Sequence, residues 1–447
     1  MTPRLLSAAW PALILAGAAA AAAEPSFSLS GSVRVRQEYL DGQYRPGYDE
    51  TDRQFGIRSS LRAEWRRSGW RLVGEVYDSR AYGVDEGSVV SASEVNVLEP
   101  VQAYVQRDFD APLGEGSSAS LQAGRFTLNI GSRRLVASDD YRNTAQGYTG
   151  LRADLRTVAK TTATAFLVMP QQRRPEDLDA VLDHDWKLDR EGRELVLWGA
   201  TVARPGLLPD GALGEASYVG LREKDRAGRP TRDRRLHTLG LRALREPARN
   251  RIDYEFEAIY QSGRARASTA PDAARLDVSA WFLHAEAGYT FDHAWRPHAV
   301  VEFDHASGDG PGPQYHRFDT LFGMRRADLA PSGIFGAVGR ANLQALGVRV
   351  EVEPHPRLDA FLAWRVLDAA AAADAFATAG IRDASGASGS RAGYLLDSRL
   401  RWWVVPKSLR AEVNAVWLKR GRLLREAPNA SPWGDTHYIA AALTYSF

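Results

Sequence analysis

The chain ends Thr436-His437-Tyr438-Ile439-Ala440-Ala441-Ala442-Leu443-Thr444-Tyr445-Ser446-Phe447, and this stretch decides the fold. A β-strand sends successive side chains to opposite faces. His437, Ile439, Ala441, Leu443 and Tyr445 therefore share one face, while Tyr438, Ala440, Ala442, Thr444 and Ser446 share the other. An apolar outer face that ends on an aromatic residue reads as the closing strand of an outer-membrane β-barrel. On this reading Phe447 carries the signal used by the barrel-assembly machinery, and the opposite face gives the lumen no charge.

The same alternation returns throughout the chain. Phe27, Leu29, Gly31, Val33, Val35, Gln37 and Tyr39 oppose Ser28, Ser30, Ser32, Arg34, Arg36 and Glu38. Phe55, Ile57, Leu61, Ala63 and Trp65 oppose Arg58, Ser60, Arg62 and Glu64. Later segments around Tyr254, Trp281, Leu346 and Leu400 repeat the scheme. Alternation also suits a soluble sandwich, so the rhythm of connections carries the distinction. Short ones fall at 67–69, 246–250, 293–296, 354–357 and 405–407. Long polar ones fall at 40–53, 79–98, 127–147, 170–193, 262–276, 306–341, 368–395 and 419–435. The expected fold is an all-β, transmembrane antiparallel barrel of about 18 strands, with short periplasmic turns and long extracellular loops. Trp65, Trp70, Trp295, Trp402, Trp403 and Trp417 lie at or near strand ends, where interfacial girdles form.

The N-terminus carries its own message. Arg4 precedes the apolar segment Leu5–Ala23, broken by Pro11, and Ala21-Ala22-Ala23 fits a cleavage site before Glu24. The expected organisation is a signal peptide over 1–23 and one barrel domain over 24–447, placed in the outer membrane of a Gram-negative bacterium. Mean hydropathy is −0.34 and the formal net charge is +2. That charge balance excludes a chain built to grip nucleic acid. With no cysteine, neither disulfides nor thiolate metal sites contribute.

Within a water-filled barrel the inward face selects solutes. Of 57 basic residues five are lysines, which leaves 52 arginines. The guanidinium fork suits carboxylate, sulfate and phosphate groups, although a coding preference gives the same total; position is more informative. Arg34, Arg36, Arg58, Arg62, Arg125, Arg152 and Arg156 fall on inward positions of the first third, with Glu75 and Asp78 among the expected pore-lining groups. Asp253, Glu255, Glu257, Glu286, Glu302 and Asp304 gather on the eleventh to thirteenth strands by count. The lumen is therefore expected to be electrically polarised, its charges either filtering solutes or pairing with one another.

Gly124-Arg125-Phe126-Thr127-Leu128-Asn129-Ile130-Gly131-Ser132-Arg133-Arg134-Leu135-Val136 does not alternate. It is either a surface loop or one that folds inward and narrows the pore. Together with Arg142-Asn143-Thr144 and Tyr148-x-Gly150-x-Arg152, it resembles the alginate export family of outer-membrane barrels. Ala306-Ser307-Gly308-Asp309 and Phe318-Asp319-Thr320-Leu321-Phe322-Gly323 are similar to that family too. The resemblance spans about residues 27–447. It implies a monomeric barrel that passes an anionic uronate polysaccharide through an arginine-lined constriction. The motif positions carry Arg125, Arg133, Arg134, Arg142 and Arg152, whereas Arg34, Arg36, Arg58 and Arg62 rest on inward parity. The acids of the eleventh to thirteenth strands depart from a uniformly positive lumen.

The expected partners are outer-membrane lipid and an anionic oligosaccharide or polysaccharide. A general porin for small nutrients is the competing expectation. No cofactor is expected, with Asp309 and Asp319 as candidate loop calcium ligands. His305, Ser307 and Asp309 lie close in sequence without the mutual geometry a triad needs. No P-loop, H-E-x-x-H or serine elbow occurs.

Overall fold

The computed structural model describes residues 24–138, 141–324, 329–336 and 338–447; the segment read as a signal peptide lies outside them. Among the described residues the wall is built from β1 (Ser26–Asp41), β2 (Thr51–Arg67), β3 (Trp70–Tyr82), β4 (Asn96–Asp110), β5 (Ser118–Thr127) and β6 (Gly147–Arg156). It continues through β7 (Thr162–Pro170), β8 (Leu195–Arg204), β9 (Leu213–Glu223), β10 (Arg235–Arg245), β11 (Arg251–Arg266) and β12 (Arg275–Thr290). It finishes with β13 (His298–Ala306), β14 (Leu343–His355), β15 (Leu358–Asp368), β16 (Arg391–Val405), β17 (Leu409–Arg420) and β18 (Thr436–Ser446).

Each strand pairs antiparallel with its neighbours in sequence. β18 returns to β1, with Ser446 opposite Ser32 and His437 opposite Asp41. Closure pairs every strand on both sides, which an apolar bilayer demands of a sheet. The Phe447 N–H and carbonyl exchange hydrogen bonds with Gly31, each 3.1 Å, extending the seam by one residue. A two-residue strand, Gln314–Tyr315, adds in parallel to Asp277 and Val278 of β12.

The side chains divide as the alternation requires. Leu29, Leu61, Leu72, Val301, Leu362 and Ile439 face outward and are exposed, whereas Arg34, Arg36, Glu38 and Gln54 are buried inside. Trp70, Trp295, Trp402 and Trp417 are exposed on the outer surface, while Trp65 and Trp403 are half-buried. Connections after even-numbered strands are the shorter set and define a turn end; those after odd-numbered strands define a loop end.

Two details differ from the sequence reading. Short connections at 111–117, 157–161 and 205–212 and a loop at 224–234 complete the alternation of turns and loops. The expected loop 262–276 is shortened to 267–274, because β11 runs to Arg266 and β12 starts at Arg275. There Arg264 stands opposite Asp277 and pairs with it at 3.0 Å, so charged residues carry the ladder beyond the apolar belt.

The loop half of the lumen is filled. Leu128, Ile130, Leu135 and Val136 of the β5–β6 loop, and Phe318, Leu329, Ile334 and Phe335 of the β13–β14 loop, are buried in one apolar cluster with wall residues. Phe318 stacks on Phe282 of β12 with ring centroids 5.6 Å apart, and Phe335 reaches Tyr438 of β18 at 5.8 Å.

Candidate functional site

Gly124 lies within β5, paired with Tyr104 and Gly150, shortly before the β5–β6 loop. Its φ is +126°, and a Cβ there would collide with the Ala103 carbonyl of the neighbouring strand. Only glycine allows the two strands to approach this closely with this backbone conformation. Downstream, the loop crosses the lumen and is fastened at both ends.

At one end Arg134 pairs with Glu255 and, at 2.6 Å, with Glu257 of β11; the Ser132 hydroxyl donates to Glu257 at 2.9 Å. At the other end the Tyr141 and Tyr438 hydroxyls lie 2.9 Å apart, and Tyr438 donates to Glu38 at 2.7 Å. Arg36 donates to the Tyr141 carbonyl and pairs with Glu38 at 2.7 Å. Arg34 and Arg58 both donate to the Arg142 carbonyl, at 2.7 and 3.4 Å. The Asn143 amide donates to the carbonyls of Ile57, Arg80 and Glu94, within 3.1 Å of each. β11 stands ten strands from β1 in one direction and eight in the other, so the loop is a strut across the full lumen.

The β13–β14 loop locks the strut from one side. The N–H of Phe322 donates to Leu135, that of Ala137 to Phe322 and that of Met324 to Arg133, at 2.9–3.0 Å. Gly323 lies so close to the Arg134 carbonyl that any Cβ would overlap it. At the root of this loop Ser307 accepts the Trp281 N–H and donates to the His316 carbonyl, while His305 stacks against Trp281 on the outer face, centroids 4.3 Å apart. His305, Ser307 and Asp309 thus serve separate tasks. The Asp309 carboxylate accepts the His316 N–H, and Asp319 pairs with Arg234 at 2.6 Å.

Below the strut, toward the turn end, lies a cavity of about 530 Å³. Eleven arginines and seven carboxylates line it. Of the residues singled out in the sequence, it gathers Arg34, Arg36, Arg133 and Arg134 with the acids Asp253, Glu255 and Glu286. It adds Arg242, Arg245, Arg349, Arg365, Arg399, Arg401 and Arg410. Arg133 sits in the roof with φ +67°, half-exposed, and its guanidinium has no ion-pair or hydrogen-bond partner among the described residues.

The remaining residues lie elsewhere. Arg62 is inward and pairs with Glu64 at 2.8 Å; Glu75 accepts from Gln102. Arg125 is held by Glu99 and, at 2.7 Å, by Glu191, which ties the β7–β8 loop to the wall. Arg152 pairs with Asp154 at 2.7 Å. Asp78 does not line the pore. Register sets it opposite Ser59 on the outward face, where it pairs with Arg80 at 2.9 Å. A one-residue change of parity moves a side chain across the wall.

Acids of the eleventh to thirteenth strands pair with arginines, the second of the two expectations for the lumen's charges. Glu255 is met by Arg134 and Arg242, Glu286 by Arg349, and Glu302 by Arg349 and Arg365. The acidic wall is compensated locally and serves as the strut's mooring. Glu255, His284 and Glu286 come within 4.8 Å of one another, but Arg134, Arg242 and Arg349 already hold the two carboxylates.

Residues 26–432 match the family described as alginate export. The chain belongs to the alginate export family. The stretches that carried the resemblance in the sequence form the strut and its lock: Arg142-Asn143-Thr144 anchors one end, and Phe322 pairs backbone to backbone with Leu135 and Ala137.

Solved structures of the same fold include Pseudomonas aeruginosa OpdO, with TM-score 0.58 and 14% identity over 94% of this chain and 97% of that one. OccK8 (OprE) of the same organism gives 0.58 and 12% over 94% and 98%. OccK2 (OpdF) in complex with glucuronate gives 0.54 and 12% over 94% and 96%. No curated protein matches in sequence. This alginate export family member is an outer-membrane barrel of the channel type.

Proposed function

We propose that the barrel passes anionic solutes, specifically acidic uronate oligosaccharides or polysaccharides, across the outer membrane of a Gram-negative bacterium. The observation that carries this reading is the turn-end cavity, where eleven arginines, among them the unpartnered Arg133 in its roof, face seven carboxylates. An excess of four positive charges in a confined space attracts anions and repels cations. Arginine also binds carboxylates in bidentate fashion.

In a planar bilayer the reconstituted barrel is expected to conduct anions in preference to cations and to be blocked by uronate oligomers. Arg133→Glu reverses one charge at the roof. That shifts the energy of a passing monovalent ion by about 2 kcal/mol, twice the ~1 kcal/mol of a unit charge at 4 Å in water. Cation preference without uronate block would overturn the reading.

A second reading, uptake of small solutes, draws on the filled loop half of the lumen. About 530 Å³ is the size of a small-ligand pocket, and OccK2 of the same fold is known in complex with glucuronate. Block by monomers as strong as block by long oligomers favours it.

A further inference from the structure

Three arginines stand side by side on the outside of the wall. Arg235 of β10 lies opposite Arg222 of β9 on one side and Arg264 of β11 on the other, all outward and exposed at the loop end. Cross-strand neighbours bring their Cβ atoms to about 5 Å, and like charges so placed destabilise a sheet. The row holds one carboxylate, Asp277, at 3.0 Å from Arg264. Arg222 reaches only the Arg193 carbonyl at 3.5 Å, and Arg235 has no side-chain partner among the described residues. On the far side of Arg222 the register position is Val196.

We propose that Arg222, Arg235 and Arg264 bind the phosphate groups of an anionic glycolipid in the outer leaflet. The surface beneath them is graded as such a lipid requires. One step down, His237 accepts or donates at Nδ1 to the Tyr218 hydroxyl, 2.7 Å away, with Trp198 edge-on. Aromatic side chains with polar tips favour this interfacial depth. Further down, Leu239, Leu241 and Phe256 are exposed and apolar, the surface that acyl chains cover. Phosphate above the belt neutralises the row, and each guanidinium adds charge-assisted hydrogen bonds. Two other outward cations at this end, Arg53 on β2 and Lys419 on β17, stand opposite tyrosines, Tyr39 and Tyr394.

Native mass spectrometry of the full chain in non-ionic detergent with bis-phosphorylated lipid A tests the assignment. The wild-type barrel is expected to retain the lipid. The triple variant Arg222→Gln, Arg235→Gln, Arg264→Gln should bind it about a hundredfold more weakly, three contacts of about fivefold each. Arg53→Gln should bind as wild type. The triple Arg→Lys variant keeps the charge and should retain the lipid, so it decides the matter if the glutamine variant fails to assemble. Undiminished binding by the glutamine variant, loss by the lysine variant, or equal retention of lipid A stripped of its phosphates would overturn the proposal. Displacement by inorganic phosphate at matched concentration would assign the row to the free anion and overturn it as well.

Discussion

Arg133 and Arg134 are adjacent in sequence and opposite in role. Arg134 is buried against Glu255 and Glu257 and joins the strut to β11; Arg133 turns into the cavity through a left-handed backbone. No property of two consecutive arginines distinguishes them before the loop is placed. Removing one member of a buried ion pair leaves uncompensated charge and costs about 3–5 kcal/mol. Arg134→Ala is therefore expected to lower the urea midpoint and to increase cation permeability, since Glu257 then faces the lumen. A variant with wild-type selectivity and stability would show that the strut is held by Tyr141 and Asn143 alone. The inward parity of Arg34, Arg36, Arg58, Arg62 and Glu75 was legible from alternation. The outward parity of Asp78 was legible too, since it lies two residues from Val76 in a strand whose register to β2 is unbroken.

At the level of elements, the β5–β6 and β13–β14 loops form one occluding unit, joined backbone to backbone across Leu135–Ala137 and Phe322. Gly323→Ala places a methyl group into the Arg134 carbonyl. Overpacking of this kind costs about 1–3 kcal/mol, and the expected result is a larger, noisier single-channel conductance; unchanged conductance would separate the lock from the pore. The β7–β8 loop has its own control. Burial, then the nearby Glu99 carboxylate, push Asp189 up to about 7, although Asn96 and the Arg174 N–H donate to it. Its ordinary value is about 3.9, so between these values the docked loop holds a proton that the undocked loop has released. Docking therefore weakens as pH rises from about 4 to about 7 and is constant above that. Hydrogen-exchange protection of residues 171–194 should fall over that window, and Asp189→Asn should flatten the fall. An equal slope in the variant would place the titration elsewhere. The non-alternating character of 124–136 marked it as different, but a surface loop and an inward one carry the same residues.

For the whole molecule, the proposed anion selectivity rests on net charge in a narrow space, so it should weaken as salt shortens the reach of each charge. The Debye length is about 10 Å at 0.1 M and about 3 Å at 1 M. Anion preference measured by reversal potential is expected to decline toward neutrality across this range; constant preference would point to selection by size. The sequence by itself determined the barrel, its approximate strand number, the outward apolar belt and the inward charged face. These follow from a two-residue period and from connection lengths, both local properties of the chain. Tertiary structure alone decided that β11 acids moor the strut, that Arg125 is neutralised, and that arginines from β10 and β14–β17 join Arg34 and Arg133 around one cavity. Those outcomes depend on which loop crosses which lumen and on which charges meet at a few ångströms, and strand periodicity contains neither.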